Sequence, residues 1–477
     1  MTNSTPNFSH ILMRFAAAKA ARAEWESLWQ DCYDYALPQR GSGSFRRSER
    51  LYDATALDAV DQLSSLILAH VAPPLTPWFG FKAGTDLNDE QAAKITPALE
   101  KATRIMQAHF DQSNFTVEIH QCFLDLVVAG TASLSFEEAE PGRLSAFQFR
   151  ALPLDHVILG ENESGRLDHV YRTLHLTPSA ILERYGANEM IAALLAKNNE
   201  PLDIAEAVIP HTTDHGYTLY AFYNDILLAE QPLNASPYIN FRWMKSPGEI
   251  YGRSPVMKTL PDIKTANKVV ELILKNASIA VTGIWQAEDD GVLNPATIEL
   301  VPGAIIPKAM GSKGLTPLEM PARFDVSQLV LESLRERIRS ALLVDRIPSG
   351  KERPRTATEI LERSAQMALL LGATFGRLQV ELLNPLIMRA YSILQRRGVL
   401  PDLPLDGRSV AIDYRSPLAQ SQSIHQADAI ASWLQSMSGL GAEVTQQIDK
   451  SALAAYLAEM LGIPSFLTQP TQPSAGE

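Results

Sequence analysis

Residues 251–281 run YGRSPVMKTLPDIKTANKVVELILKNASIAV and carry the most regular pattern of the chain. Ser254 followed by Pro255 predicts a helix start, because serine caps helix N-termini and proline fits the first helical position. Pro261 predicts a kink or a restart of this helix. Beyond it, apolar residues recur in steps of three and four and share one side of a helix: Ile263, Ala266, Val270, Ile273, Ala277 and Ala280. The opposite side carries Lys264, Lys268, Glu271 and Lys275, so we predict an amphipathic helix with an apolar seam and a charged stripe.

A second helix is predicted from Asp325. Gln328 follows three residues later, and the two residues form a capping box. Four apolar residues then recur at helical spacing: Leu331, Leu334, Ile338 and Ala341. Seams this narrow cannot be buried within an isolated helix pair, so we expect neighbouring copies of the chain to cover them.

A third helix is predicted from Thr356, which stands in the same capping relation to Glu359. Apolar residues at helical spacing continue to Gly398, with kinks predicted at Gly372 and Pro385. At about 1.5 Å per residue, an unbroken helix of this length would exceed the diameter of a small domain. Such an element is typical of a protein that spans the layers of a larger assembly.

Two irregular segments separate these helices. Residues 282–324 combine glycine and proline turns with short β-prone runs, which predicts a small β-rich excursion. Residues 346–355 hold four basic residues against one acid: Arg346, Lys351, Arg353 and Arg355. In a monomer this loop would be an ordinary solvated linker, but repeated around a ring it would form a collar of positive charge.

The residues before Tyr251 mix helices with strands. Helical patterns are interrupted at Pro38, and a later one closes at Gly130, where a left-handed cap is expected. From Ala132 to Lys245 the pattern mostly alternates with period two, with one helix inserted and a turn at Asn224-Asp225. The fold class is therefore predicted to be α+β. The tail from Gln420 returns to helical spacing, and its Pro- and Gln-rich end predicts disorder.

Composition limits the function classes. The chain has 477 residues, 46% of them hydrophobic, which is enough for a large core and two to four domains. A formal charge of −12 argues against a surface that grips nucleic acid throughout, although DNA could still pass by. Only Cys32 and Cys122 are present, so we expect a reducing compartment. No apolar stretch reaches about 18 residues and no signal peptide pattern begins the chain, so we expect an intracellular protein without membrane insertion.

Nucleotide hydrolysis and esterase chemistry are not supported by the motifs. Gly350-Lys351 lacks the upstream glycine and the following hydroxyl of a nucleotide-binding loop. Gly252-Arg253-Ser254 resembles a nucleophile elbow until its last position, which is valine. Ser254 is better explained as a helix cap.

Two further clusters could bind a metal ion. His211 and His215 stand four residues apart beside Asp214, but flanking Pro and Gly residues place them in a loop. Three acids after a strand, Glu137, Glu138 and Glu140, suit a solvated turn better than a nuclease centre. We therefore predict no catalytic residue, no metal and no cofactor.

The chain resembles the portal proteins, or head-to-tail connectors, of short-tailed double-stranded DNA phages. The resemblance covers Trp25 to about Pro404 and rests on the number and order of short landmarks. They are Leu51-Tyr52-Asp53-Ala54-Thr55, Pro73-Pro74, Pro77-Trp78-Phe79, Ser113-Asn114-Phe115, Gly130-Thr131-Ala132, Tyr251-Gly252-Arg253-Ser254-Pro255, Leu260-Pro261-Asp262-Ile263-Lys264, Arg355-Thr356-Ala357-Thr358-Glu359 and Glu381-Leu382-Leu383-Asn384-Pro385-Leu386.

The resemblance implies a ring, typically dodecameric, at one capsid vertex, through which the genome enters and leaves. It divides the chain into seven segments: a wing (1–252), a first stem helix (253–281), a β-rich clip (282–324), a second stem helix (325–345), a tunnel loop (346–355), a long kinked helix with the rest of the wing (356–419), and a short helical crown with a disordered tail (420–477). The implied partners are double-stranded DNA, terminase, a tail adaptor, and capsid and scaffolding proteins. The implied location is the virion, after assembly in the host cytoplasm.

The resemblance also implies roles for single residues. Arg346, Lys351, Arg353 and Arg355 would face DNA in the tunnel, and Lys264, Lys268 and Lys275 would form a stripe along the channel. Ile263, Val270, Ile273, Leu334 and Ile338 would form the packing seam of the stem. The acidic remainder would let a polyanion slide, and without an ATP-binding loop the energy would come from a partner.

Two alternatives remain open at this point. One is a ring of another kind, such as a tail adaptor or scaffold, although an adaptor needs no loop that enters a DNA channel. The other is a metal-dependent hydrolase that uses His211, His215 and nearby acids, which metal analysis of the purified protein would test.

Overall fold

The computed structural model describes residues 8–38, 51–196, 200–211, 216–282, 285–287, 315–317, 324–344 and 374–415, with isolated positions at 310, 372, 430, 432–435, 453–454 and 456–457. Its longer helices are α1 (Phe8–Ala36), α2 (Thr55–Val71), α3 (Asp89–Asp111), α4 (Phe115–Ala129), α5 (Pro178–Tyr185), α6 (Glu189–Leu195), α7 (Pro255–Thr282), α8 (Phe324–Ala341) and α9 (Asn384–Arg396). Its strands are β1 (Phe79–Ala83), β2 (Thr131–Glu138), β3 (Phe147–Leu152), β4 (Val157–Gly160), β5 (His169–Leu176), β6 (Leu202–Pro210), β7 (Tyr217–Tyr223), β8 (Ile226–Leu233), β9 (Tyr238–Arg242), β10 (Trp285–Ala287), β11 (Leu315–Pro317) and β12 (Val410–Tyr414). The mixture confirms the predicted α+β class.

Four antiparallel sheets organise the described strands. The largest has the order β4-β5-β6-β7-β8, and a three-stranded sheet has the order β3-β2-β9. The β7–β8 hairpin turns at Asn224, whose φ of 48° is left-handed, as the predicted Asn-Asp turn requires. Two small sheets pair β1 with β12 and β10 with β11. The first of these joins the N-terminal half of the chain to residues that follow α9.

The main core lies between the helices and one face of the three-stranded sheet. Leu134 and Phe136 of β2, with Phe241 of β9, belong to the same buried apolar cluster as α2, α4 and α9. The five-stranded sheet has two smaller clusters of its own, and the first half of α1 covers one of its faces. There Phe15 contacts the rings of Tyr171 and Phe222 at centroid distances of 5.3 and 5.6 Å.

Local signals fixed several element boundaries. α4 ends at Gly130, which has a φ of 75°. A Cβ at this position would lie 2.4 Å from the carbonyl oxygen of Gly252, so both backbone conformation and close approach require glycine. Thr177 caps α5, and Pro178 occupies its first turn. α1 ends at Ala36, before Pro38.

The structure has no restart at Pro261, since α7 is one continuous helix from Pro255 to Thr282, and a kink within that helix stays a prediction. Val256, Leu260 and Ile263 flank the proline, and all three are buried in the core. Tertiary packing on both sides therefore holds the residues in one helix despite the missing N–H group.

The third predicted helix is described only from its final part. A helical run at residues 374–378 passes into a π-helical turn, Gln379–Leu383, and then into α9. The Asn384 N–H bonds to the Gln379 carbonyl, five residues back. Pro385, where the sequence predicts a kink, is the second residue after this turn. The predicted start at Thr356 lies outside the described residues.

Candidate functional site

The pair formed by α7 and α8 is the most distinctive element of the fold. The helices pack against each other, and β10 and β11, between them in sequence, pair as two antiparallel strands. Near the opposite end, Arg337 of α8 forms an ion pair with Asp262 of α7 at 2.8 Å. The two helices are therefore antiparallel, with a base at the body of the protein and a distal end at the β10–β11 strands.

The base of the pair is buried by the chain itself. Ile263, Leu334 and Ile338 are at most 7% exposed and belong to the main core, together with residues of α2 and α4. Val270 and Ile273, farther along α7, are only half-buried. The expectation that neighbouring copies must cover the whole seam is thus wrong for the base, because α2 and α4 already cover it.

A polar clamp ties both helices to the start of α2. The Asp53 carboxylate accepts hydrogen bonds from the Thr55 N–H (3.0 Å) and the Arg335 guanidinium (2.9 Å). The side-chain amide oxygen of Asn267 (Oδ1) accepts hydrogen bonds from the main-chain N–H groups of Tyr52 (2.6 Å) and Asp53 (3.1 Å). Burial alone would raise the pKa of Asp53, but Thr55 and Arg335 hold it below its ordinary value. The clamp fixes the direction in which the pair leaves the body.

The distal end exposes large apolar side chains. Leu274 lies 18 residues after Val256 and 11 after Ile263, so the three share one face of α7. Val256 and Ile263 are buried, but Leu274 is 52% exposed. Since the same face is covered at the base and uncovered at Leu274, α7 projects beyond the body of the protomer.

These exposed side chains point to different sides of the pair. Leu272 and Leu274, both about half exposed, are two residues apart and therefore roughly 160° apart around α7. On α8, Leu329 is 75% exposed and lies roughly 160° from the buried Leu331. A single partner on one side could not cover all of them.

The three lysines of the predicted stripe differ in their surroundings. Lys264 bonds to Asp31 of α1 at 2.6 Å and lies 5.5 Å from the centroid of the Tyr35 ring. Lys268 and Lys275 both pair with Glu271, at 2.9 and 2.6 Å, and both remain more than half exposed. Hydrogen bonds from Lys275 and Lys268 lower the pKa of Glu271. Lys264 thus joins α7 to α1, while the other two leave a partly neutralised basic patch on the projecting part.

The predicted tunnel loop lies outside the described residues, with Arg346, Lys351, Arg353 and Arg355. His215 and Asp214 also lie outside them. The His211 ring hydrogen-bonds with the Thr218 hydroxyl at 2.5 Å. Across the described ranges, no three His, Cys, Asp or Glu side chains are grouped as metal ligands would be. Nor does any described helix have the length and hydropathy to cross a bilayer.

Two further residues that the sequence offered as candidate site residues, Ser254 and Glu138, make hydrogen bonds that hold the fold together. The Ser254 hydroxyl accepts the Met257 N–H at 2.9 Å and donates to the Val128 carbonyl at 2.8 Å, which confirms its role as a helix cap. Glu138 accepts hydrogen bonds from Arg396 (3.0 Å) and Arg397 (2.7 Å), so this acid joins β2 to the end of α9.

Arg242 and Glu381 form a buried ionic clamp that no sequence motif indicated. Arg242 of β9 is 1% exposed and donates to Glu381 of the π-helical turn at 2.7 Å and to Glu161 at 3.1 Å. The main-chain N–H of Arg242 also donates to Glu381 at 2.9 Å, and Arg377 forms an ion pair with the same carboxylate at 3.0 Å. Arg242 and Glu381 are 139 residues apart, so no local spacing could have indicated the pair.

A second buried carboxylate joins the two larger sheets. Glu206 of β6 is fully buried and accepts hydrogen bonds from Arg184 and Tyr185 of α5, both at 2.7 Å, and from Tyr238 of β9 at 2.9 Å. Burial alone would raise the pKa of Glu206, but these donors lower it. Together with Arg242, this carboxylate fixes β9 between the five-stranded sheet and the C-terminal helices.

Comparison with known proteins identifies the family of the chain. A family model described as bacteriophage head to tail connecting protein matches residues 9–467. The chain is 25% identical to the "Probable portal protein" of Bordetella phage BPP-1, over 96% of this chain and 88% of that protein. It is 24% identical to the portal protein of Salmonella phage epsilon15 (98% and 89% covered) and 22% identical to that of Escherichia phage T7 (81% and 74%). These matches confirm the resemblance to phage portal proteins, and the chain belongs to the family of bacteriophage head to tail connecting proteins.

Proposed function

We propose that this chain is one subunit of a closed ring, dodecameric as the family resemblance implies, at a single vertex of a phage capsid. The ring is a channel through which double-stranded DNA enters during packaging and leaves during ejection. It acts without catalysis of its own. Assembly takes place in the host cytoplasm, and the finished ring is part of the virion.

The observation that carries this proposal is the exposure of apolar side chains on opposite sides of the projecting helix pair. Leu272 and Leu274 point in nearly opposite directions, and Leu329 lies on the outer side of α8. Scattered exposed leucines are common on proteins, but Leu272, Leu274 and Leu329 lie together on one projecting element that the described part of the protomer does not cover. Two neighbours, one on each side, would cover both directions. Repetition of such a heterologous contact generates a ring when the rotation closes.

The charge distribution fits a passage for a polyanion. A net charge of −12 disfavours tight binding of DNA over the whole surface. Lys268 and Lys275, each paired with Glu271, would offer weak contacts along the channel, and the tunnel loop would add a narrow basic collar. Weak and localised attraction keeps DNA in the bore without stopping its movement.

The segment assignments follow from the same proposal. The helices α7 and α8 are the stem, the β10–β11 strands at their distal end belong to the clip, and the body formed by α1 to β9 is the wing. Residues 356–419 are the long kinked helix and the rest of the wing, and residues 420–477 are the crown and tail. We propose that the clip binds terminase during packaging and a tail adaptor afterwards, while capsid and scaffolding proteins contact the outer surface.

The test is the oligomeric state of stem variants by native mass spectrometry and electron microscopy. Leu274→Asp and Leu329→Asp should lower the ring population strongly, because each buries a charge in an apolar contact. Leu274→Met and Leu329→Met are matched controls that keep volume and hydrophobicity, and both should still form rings. Rings of unchanged size and abundance from both Asp variants would refute the stem contact. A wild-type protein without a central hole would refute the proposed function itself.

A further inference from the structure

One side of β9 carries three polar residues that differ in how their hydrogen bonds are satisfied. Tyr238 donates to Glu206, and Arg242 donates to Glu381. Asn240, between them, is 6% exposed, and neither its amide nitrogen nor its amide oxygen has a hydrogen-bond partner among the described residues. The middle of this row is therefore buried but unsatisfied.

The strand beside β9 has a matching feature. Ser133 of β2 is the direct register partner of Asn240, and it is fully buried. Its hydroxyl likewise lacks a partner within the described part of the chain. Directly opposed residues in an antiparallel pair have Cβ atoms about 5 Å apart, so the two unsatisfied groups share one small region.

The Asn240 amide and the Ser133 hydroxyl would destabilise the folded protein if no water molecule bound to them. A buried polar group without a partner costs about 1–3 kcal/mol, and the amide and the hydroxyl together offer both donors and acceptors. Buried groups of this kind are usually satisfied by an internal water molecule that makes two to four hydrogen bonds. A ligand that both donates and accepts is therefore expected.

The neighbouring charges narrow the choice of ligand. A metal cation could not accept a hydrogen bond from the Asn240 nitrogen, and it would lie near the buried Arg242 guanidinium on the same side of β9. A halide or a fully deprotonated oxyanion could not donate to the Asn240 oxygen. Water satisfies both groups and is the smallest species that does so.

We propose that Asn240 and Ser133 form a binding site for a structural water in the β2–β9 sheet. The site lies between two polar contacts of β9. Tyr238 on one side of it bonds to Glu206 of the five-stranded sheet, and Arg242 on the other side bonds to Glu381 of the π-helical turn. Strand β9 joins the body to the C-terminal helices, and we call this region the joint. It is held by the ionic contact of Arg242, by the hydrogen bond from Tyr238 to Glu206, and by the water between Asn240 and Ser133.

The decisive experiment is a structure of the wild-type protein, in its natural assembly, at a resolution that resolves ordered water. A density peak within hydrogen-bond distance of Ser133 Oγ and of either amide atom of Asn240 is expected. Direct hydrogen bonds from both side chains to protein atoms, or an Asn240 amide without neighbouring density, would overturn the proposal.

A stability measurement supplies an independent arm with a matched control. Ser133→Ala should lower Tm by roughly 2 °C, because the bound water loses one of its partners. Ser64→Ala removes an equally buried hydroxyl that also has no partner within the described residues, but from helix α2 and away from Asn240, and should lower Tm less than Ser133→Ala does. A dry site predicts instead that Ser133→Ala leaves Tm unchanged or raises it, which would count against the water.

Discussion

Arg242→Met is the substitution from which we expect the largest loss of stability. The change removes a guanidinium that is 1% exposed and keeps an unbranched apolar chain in its place. Glu381 and Glu161 lose their shared partner, and the carbonyls of Ile250 and Gly165 lose donors at 2.9 and 3.0 Å.

The magnitude follows from what remains around the two carboxylates. Removal of one member of a buried ion pair costs about 3–5 kcal/mol. Glu381 keeps Arg377 and the main-chain N–H of residue 242, and Glu161 keeps Lys245. These contacts favour the lower end of the range for the ionic part, while each carbonyl that loses its donor adds about 1 kcal/mol. We therefore expect a total of about 5 kcal/mol, a large fraction of the usual free energy of unfolding.

Chemical denaturation at equal protein concentration measures this loss, because subunit association changes apparent stability by mass action. Arg408→Met is the control, since Arg408 is 76% exposed, pairs only at the surface with Asp86, and should cost less than about 1 kcal/mol. Hydrogen exchange should also accelerate at residues 374–383 in the Arg242 variant alone. If both variants unfolded within about 0.5 kcal/mol of each other, the clamp would not stabilise the joint.

Three further predictions address the loop, a turn and an ionisable group. Charge reversal of Lys351, Arg353 and Arg355 should leave ring assembly intact but reduce DNA packaging or retention; packaging equal to the parent would refute the tunnel assignment. Gly130→Ala should lose at least about 2 kcal/mol in thermal unfolding, more than Gly142→Ala, because both have positive φ but only Gly130 has backbone atoms where the Cβ would lie. Because the folded pKa of Asp53 lies below the ordinary 3.8, its stabilising contribution is complete only well above 3.8, at pH about 5 and higher, and is lost as the pH falls through the folded pKa. The stability difference between wild type and Asp53→Asn should therefore shrink as the pH falls below about 5, and a constant difference would exclude this linkage.

The local elements could be predicted because their signals are short-range. Ser254 caps α7, Gly130 ends α4, and Asn224 turns the β7–β8 hairpin, each at the position that backbone chemistry requires. Pro261 does not end or restart α7, because its neighbours Val256, Leu260 and Ile263 pack in the core on both sides of it. The family resemblance likewise rested on short motifs in a fixed order.

The candidate site was predictable only in part. The spacing of Ile263, Leu334 and Ile338 predicts one apolar side for each helix, but it does not reveal that α2 and α4 cover the base while Leu274 stays exposed. That difference depends on where the body of the protein ends, which is a property of the assembled protomer.

The sequence alone determined the α+β class, the helix pair with its intervening β segment, the acidic charge balance and the family. These features depend on periodicity, capping and composition, which act between residues close in the chain. Only the tertiary structure decided that Arg242 meets Glu381, that Glu206 joins two sheets, and which part of the helix pair projects. Such contacts join residues far apart in sequence, and their energies come from burial and from partners that exist only once the chain has folded.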